Sequence, residues 1–123
     1  MNILFGSRRT GRTTQIIRRA HELRAYILVS DRNRALSIRK QADEMGLKDL
    51  LFPITLDEFL RCRNSGFVRD ILIDDADDLL EKLCNRQGWN VDTISICKRE
   101  GKWAELLTPD EFEKVCGGEH ETD

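Results

Sequence analysis

Two glycines separated by four residues, Gly6 and Gly11, bracket Ser7, Arg8, Arg9 and Thr10, and Arg12, Thr13 and Thr14 follow directly. A stretch of this kind can hold a phosphate. Glycines at both ends of a short loop let backbone N–H groups turn inward, and a helix that starts just after it adds unpaired N–H groups and the positive end of its dipole. Arg12, beside the last glycine, supplies a guanidinium able to form charge-assisted bonds with phosphate oxygens. Gly6 to Thr14 is therefore the candidate phosphate-binding segment. A flexible basic loop would give the same letters, so the context decides: the chemistry requires a strand before the loop and a helix after it.

A second group with chemical potential is Asp74-Asp75, which follows the apolar run Ile71-Leu72-Ile73. Carboxylates placed there stand at a strand's carboxyl end, where open α/β sheets bind their ligands. An alternative remains open, because Asp74, Asp75, Asp77 and Asp78 together also read as an acidic first turn favoured by the helix dipole. Thr93, Ser95 and Lys98 are polar candidates near the end of a later strand. Cys62, Cys84, Cys97 and Cys116 form no C-x-x-C pair, and His21 and His120 lie at no ligand spacing from them, so zinc is not expected and free thiols are.

The elements that must position these groups follow from the apolar pattern. Asn2-Ile3-Leu4-Phe5 reads as a short strand ended by Gly6, and Ile16, Ile17, Ala20 and Leu23 recur at helical spacing after it. Ala25–Val29 is a second strand, and Ser30-Asp31 can cap a helix carrying Ala35, Leu36, Ile38, Ala42 and Met45 up to Gly46. Leu50–Ile54 is a third extended run, which Pro53 assigns to an edge or a connection. Thr55-Leu56-Asp57-Glu58 has the capping-box form, so a short helix is expected to carry Phe59 and Leu60 inward, with Asn64-Ser65-Gly66 breaking it. Leu79, Leu80, Leu83 and Cys84 share a helix face after the acidic strand. Val91–Cys97 alternates with period two and, through Arg99-Glu100-Gly101, is expected to pair with Trp103–Leu107 as an antiparallel edge. Thr108-Pro109-Asp110-Glu111 opens a last helix that Gly117-Gly118 ends, leaving 118–123 as a frayed acidic tail on a single domain of residues 1–117. Continuous apolar strands of this kind suit a mainly parallel sheet covered on both faces.

With these parts in order, G-x-x-x-x-G-R-T resembles the Walker A loop of P-loop NTPases, with arginine in the place of the usual lysine. Ile71–Asp75 resembles a Walker B strand. Strand, loop, helix, then a further strand and helix before the acidic strand, is similar to the additional-strand branch of that superfamily, which includes RecA-like and helicase-like ATPases. The similarity spans about residues 1 to 97. The resemblance implies a three-layer α/β/α core that binds ATP with Mg²⁺. Thr13 would ligate the metal, Asp74 would hold its shell through water, and Arg12 would reach the outer phosphates. Asp75 would polarise the attacking water where such proteins usually carry glutamate, and a polar sensor would sit among Thr93, Ser95 and Lys98. Aspartate is one methylene shorter, and guanidinium is bulkier than ammonium, so two catalytic positions depart from the pattern. Two functions are consistent with that: weak Mg²⁺-dependent ATP hydrolysis, or a P-loop-derived module that binds protein or nucleic acid without hydrolysis.

Charge bears on partners. Up to Arg63 the chain carries 13 Lys+Arg against 7 Asp+Glu, and after it 7 against 15, so a basic half precedes an acidic one within a net charge of −2. A basic half suits phosphates, whether of a nucleotide or of a nucleic acid, although ordinary solvated helix faces would look the same. Arg8 and Arg9 have three readings: solvated loop residues, contacts to nucleic acid, or fingers reaching a neighbouring subunit's phosphate in a homo-oligomer. Trp89 and Trp103 are too isolated to argue for base stacking and read as core or edge-strand residues. Met1 leads straight into Asn-Ile-Leu-Phe, and no apolar run approaches membrane length. The expectation is a soluble cytoplasmic protein. Small stand-alone P-loop proteins of this look resemble bacteriophage products, which would place it in a host's cytoplasm.

Overall fold

The computed structural model describes residues 2–4, 11–61, 70–96, 105–107 and 113–114. In chain order these form β1 (Asn2–Leu4), α1 (Arg12–Leu23), β2 (Tyr26–Val29), α2 (Arg32–Glu44), β3 (Ile54–Thr55), α3 (Leu56–Arg61), β4 (Ile71–Ile73), α4 (Ala76–Arg86) and β5 (Glu105–Leu107). The protein is mixed α/β. It divides into two units, one of Met1–Gln15 with Ile94–Asp123 and one of Ile16–Thr93.

The Ile16–Thr93 unit is built on a three-stranded open sheet of order β3-β2-β4, parallel throughout. Leu28 and Val29 pair with Ile54 and Thr55 on one side, while Tyr26, Ile27 and Leu28 pair with Ile71, Leu72 and Ile73 on the other. Ile27, Leu28 and Val29 are all buried, which explains why this segment is apolar at successive positions rather than alternate ones. The Leu28 side meets Leu56 of α3 and Leu79 of α4, with Ile54 and Leu83 packed around them. Ile16, Ile17 and Ala20 of α1, Ala35, Ile38 and Ala42 of α2, and Ala25 and Leu50 are buried as well. β3 lies at one end of the strand order, directly after buried Pro53, as a segment led by proline should.

Local signals set the helix limits. The Asp31 carboxylate accepts from the Arg34 N–H at 2.9 Å and caps α2. Gly46 closes that helix at φ +79°, where its N–H reaches the Asp43 carbonyl and that of Leu47 the Ala42 carbonyl, a Schellman ending. Thr55 and Glu58 form a reciprocal capping box: the Glu58 N–H donates to Thr55 Oγ1 at 3.3 Å and the Thr55 N–H to Glu58 Oε1 at 3.2 Å.

Three expectations are corrected. Phe59 and Leu60 are exposed, and Leu56 is the residue α3 buries, because a six-residue helix turns only its first position toward the Leu28 cluster. Leu36 and Leu80 are likewise exposed. Among the described residues the expected antiparallel edge is not seen: Val91–Ile96 carry no strand, and β5 pairs in parallel with β1, Asn2 opposite Glu105 and Leu4 opposite Leu107, while Cys97 and the turn to Ala104 lie outside the described residues. Asp92 to Ile96 are all exposed, so the alternating segment has no buried face to hold a register. Glu113 and Lys114 are helical, whereas the helix start at Thr108, the breaks at 64–66, 99–101 and 117–118 and the tail 118–123 lie outside the described residues. Among the described residues, no helix is long and apolar enough to cross a membrane.

Ile27→Ala in the centre of β2 is expected to lower unfolding free energy by about 2–5 kcal/mol, and Ile71→Ala at the exposed strand by less than about 1 kcal/mol, read by urea denaturation.

Candidate functional site

In the unit that contains β1, the phosphate-loop reading rests on the start of α1. Gly11 has φ +88°, a conformation L side chains rarely adopt, and its carbonyl accepts the Gln15 N–H at 3.1 Å as the first helical bond. A Cβ added at Gly11 would meet nothing within 4 Å, so the requirement for glycine is one of backbone conformation, not of space. Arg12, Thr13 and Thr14 form the first turn of α1 and are half-buried. That turn contains no acidic residue. Gly6, Ser7, Arg8, Arg9 and Thr10 lie outside the described residues.

In the Ile16–Thr93 unit, β2 and β4 run parallel and deliver Ser30-Asp31 and Asp74-Asp75 to the same edge of the sheet. The Asp74 N–H donates to the Leu28 carbonyl at 3.3 Å, continuing the β2–β4 pairing by one residue. Its carboxylate is only 2% exposed and accepts from Arg34 Nη2 at 2.8 Å. The same Nη2 donates to Asp75 Oδ2. Asp75 adopts a left-handed conformation, φ 52° and ψ 65°, at the head of α4, and its side chain makes no capping bond; its carbonyl accepts the Leu79 N–H. Aspartate tolerates this region better than most residues. The bend aims β4 into α4 within two residues and keeps both carboxylates at the edge.

A second network lies beside the first. Ser30 Oγ donates to Asp78 Oδ2 at 2.7 Å, and Lys82 Nζ donates to Asp31 Oδ2 at 2.5 Å and to Ser30 Oγ at 3.3 Å. The hydrogen bond from Lys82, then that from the Arg34 N–H, holds the Asp31 carboxyl below its ordinary 3.8. Lys82 is raised above its ordinary 10.5, chiefly by the same bond. Burial works against the Arg34 charge, but the attraction of Asp74 and then Asp75 outweighs it and raises the guanidinium further.

Magnesium takes about six oxygens in an octahedral shell and keeps several waters in it. Asp74 and Asp75 meet a guanidinium instead of such a shell, and the Asp74 carboxylate has almost no exposed surface. As arranged, the pair does not fit a divalent ion. Among the described residues no group of three or more His, Cys, Asp or Glu is arranged to hold a metal.

Arg34, Ser30 and Lys82 were not singled out by sequence reasoning. Their signal lies in strand order, since only the adjacency of β2 and β4 brings α2's first turn to the acidic pair. Asp78 is tied to Ser30 and Lys82. Thr93 and Ser95 are exposed outside any strand, with Thr93 Oγ1 donating to Asp92, and Lys98 lies outside the described residues. Trp89 is 72% exposed, so it is not a core residue; Trp103 lies outside the described residues. Cys84 is a half-buried free thiol, and Cys62, Cys97 and Cys116 lie outside the described residues. The chain matches no protein-family model, no curated protein and no solved structure.

The Asp31–Lys82 pair makes a pH prediction. A lowered aspartate contributes stability above its unfolded value and loses it as pH falls through the lower folded one; a raised lysine contributes below its unfolded value and loses it as pH rises through the higher folded one. The pair is therefore at full strength between about pH 4 and pH 10. Asp31→Asn keeps a capping side chain but removes the charge, so wild type should exceed it in urea stability at pH 7, with the gap closing toward pH 2.

Proposed function

We propose that the protein is a P-loop-type module that binds a nucleoside triphosphate, with ATP the expected nucleotide, and does not hydrolyse it at an appreciable rate. The observation that carries the reading is the positive-φ Gly11 immediately before the first turn of α1, with Arg12, Thr13 and Thr14 in that turn and β1 ahead of the loop. Backbone N–H groups and the helix dipole would take the phosphates, and Arg12 would add a charge-assisted bond. In this reading the small parallel sheet of the Ile16–Thr93 unit belongs to a three-layer α/β/α core.

The ion pair from Arg34 to Asp75 favours the non-hydrolysing form over weak Mg²⁺-dependent hydrolysis. A carboxylate that already accepts from a guanidinium is a poor acceptor for a water proton, and it must be released before it can polarise the attacking water. Phosphoryl transfer in P-loop enzymes depends on positioning, so replacement of both lysine and glutamate weakens turnover more than binding. The bound nucleotide would then act as a structural or regulatory ligand, with a protein or nucleic-acid partner read from the outcome.

Calorimetric titration with ATP at near-physiological salt tests this. Wild type should bind, Arg12→Ala should bind about tenfold to a hundredfold more weakly, and phosphate release should stay at the level of Asp75→Asn. Absence of ATP binding by wild type contradicts the proposal. Turnover that Asp75→Asn abolishes supports the hydrolase reading instead. Salt-sensitive DNA binding lost on replacing Arg8 and Arg9 would identify nucleic acid as the phosphate ligand.

A further inference from the structure

The carboxylates of Asp74 and Asp75 share a donor, Arg34 Nη2, so a positive group bridges two acids at the end of β4. A bridging cation between two carboxylates is what a bound divalent ion would otherwise supply. The guanidinium is anchored. Its residue sits in the first turn of α2, where its N–H is bonded to the capping Asp31, and Asp31 is held in turn by Lys82. The neighbouring acids at this edge are engaged as well, Asp31 by Lys82 and Asp78 by Ser30 and Lys82.

We infer that Arg34 is the resident counter-ion of the Asp74–Asp75 pair, standing in for a divalent metal, so that this acidic pair is closed to Mg²⁺. Entry of a dication would require the guanidinium to withdraw from a carboxylate that is 2% exposed, and until it did the two cations would repel at close range. Removing the guanidinium takes away the cation that bridges these two carboxylates, whose oxygens are donors of the kind a hard cation prefers. A corollary rests on the nucleotide-binding reading: ATP binding at the loop owes nothing to a metal held by Asp74.

The test is a titration of the full chain, free of nucleotide, with Mn²⁺ as an oxygen-seeking surrogate for Mg²⁺, read by the paramagnetic resonance of the free ion. Wild type and Asp74→Asn should bind equally weakly. Arg34→Gln should bind about tenfold tighter, and Arg34→Gln/Asp74→Asn should lose that gain. Wild type binding Mn²⁺ more than about threefold tighter than Asp74→Asn overturns the inference, because Asp74 would then ligate metal with Arg34 in place. So does an Arg34→Gln protein that is folded by circular dichroism yet gains nothing. Should Arg34→Gln not fold, the comparison of wild type with Asp74→Asn still decides. A second titration measures ATP affinity with EDTA and with Mg²⁺. A gain with Mg²⁺ that Asp74→Asn removes overturns the corollary, whereas absence of ATP binding in both buffers defeats the nucleotide reading and leaves the counter-ion inference to the Mn²⁺ result.

Discussion

A buried carboxylate must be matched by polar or charged partners, and at Asp74 one of them is the Arg34 guanidinium. Much of the Ile16–Thr93 unit is arranged around the match. The Asp74 N–H is bonded to Leu28 of β2, its side chain to the first turn of α2, and its chain continues through a left-handed Asp75 into α4. One residue thus links the central strand, the strand beside it and two helices. The second network, Ser30 with Asp78 and Lys82 with Asp31, ties the end of β2 to α4 a few residues further on.

Under the proposed function, this arrangement would separate phosphate binding from hydrolysis. Phosphate binding depends on a glycine able to take positive φ before a helix, and Gly11 does so at the head of α1. Hydrolysis depends on carboxylates available to water and metal, and here both lie on a guanidinium. Within that proposal Arg12 and Asp75 point the same way: a bulky planar cation where the Walker motif has a compact one, and a shorter acid where it has glutamate. The proposal of binding without turnover draws on these groups together, and no single one of them carries it.

Much of the fold was legible because local signals agreed with the tertiary structure. Asp31, Gly46 and the Thr55–Glu58 pair act within a few residues of themselves, so their letters suffice. The continuous apolar run at Ile27–Val29 announced a strand buried on both faces. Long-range pairing was less legible. Alternation in Val91–Ile96 suggested a strand, but alternation stabilises one only where a face is buried, and this segment is almost wholly exposed. Phe59 and Leu60 looked inward because they are apolar, while the short α3 spends its one buried position on Leu56. Asp74 and Asp75 were visible at a strand end; their partner was not. Arg34 lies 40 residues from Asp74, and only the pairing of β2 with β4 brings the two together.

If Arg34 and Asp74 act as one unit, a double-mutant cycle on folding stability will register their coupling. Wild type, Arg34→Met, Asp74→Asn and the double variant would be unfolded in urea at pH 7. The account predicts an interaction energy of about 1–3 kcal/mol, with Asp74→Asn recovering much of what Arg34→Met loses. Additive losses, within about 0.5 kcal/mol, would contradict it and leave the acidic pair without its counter-ion.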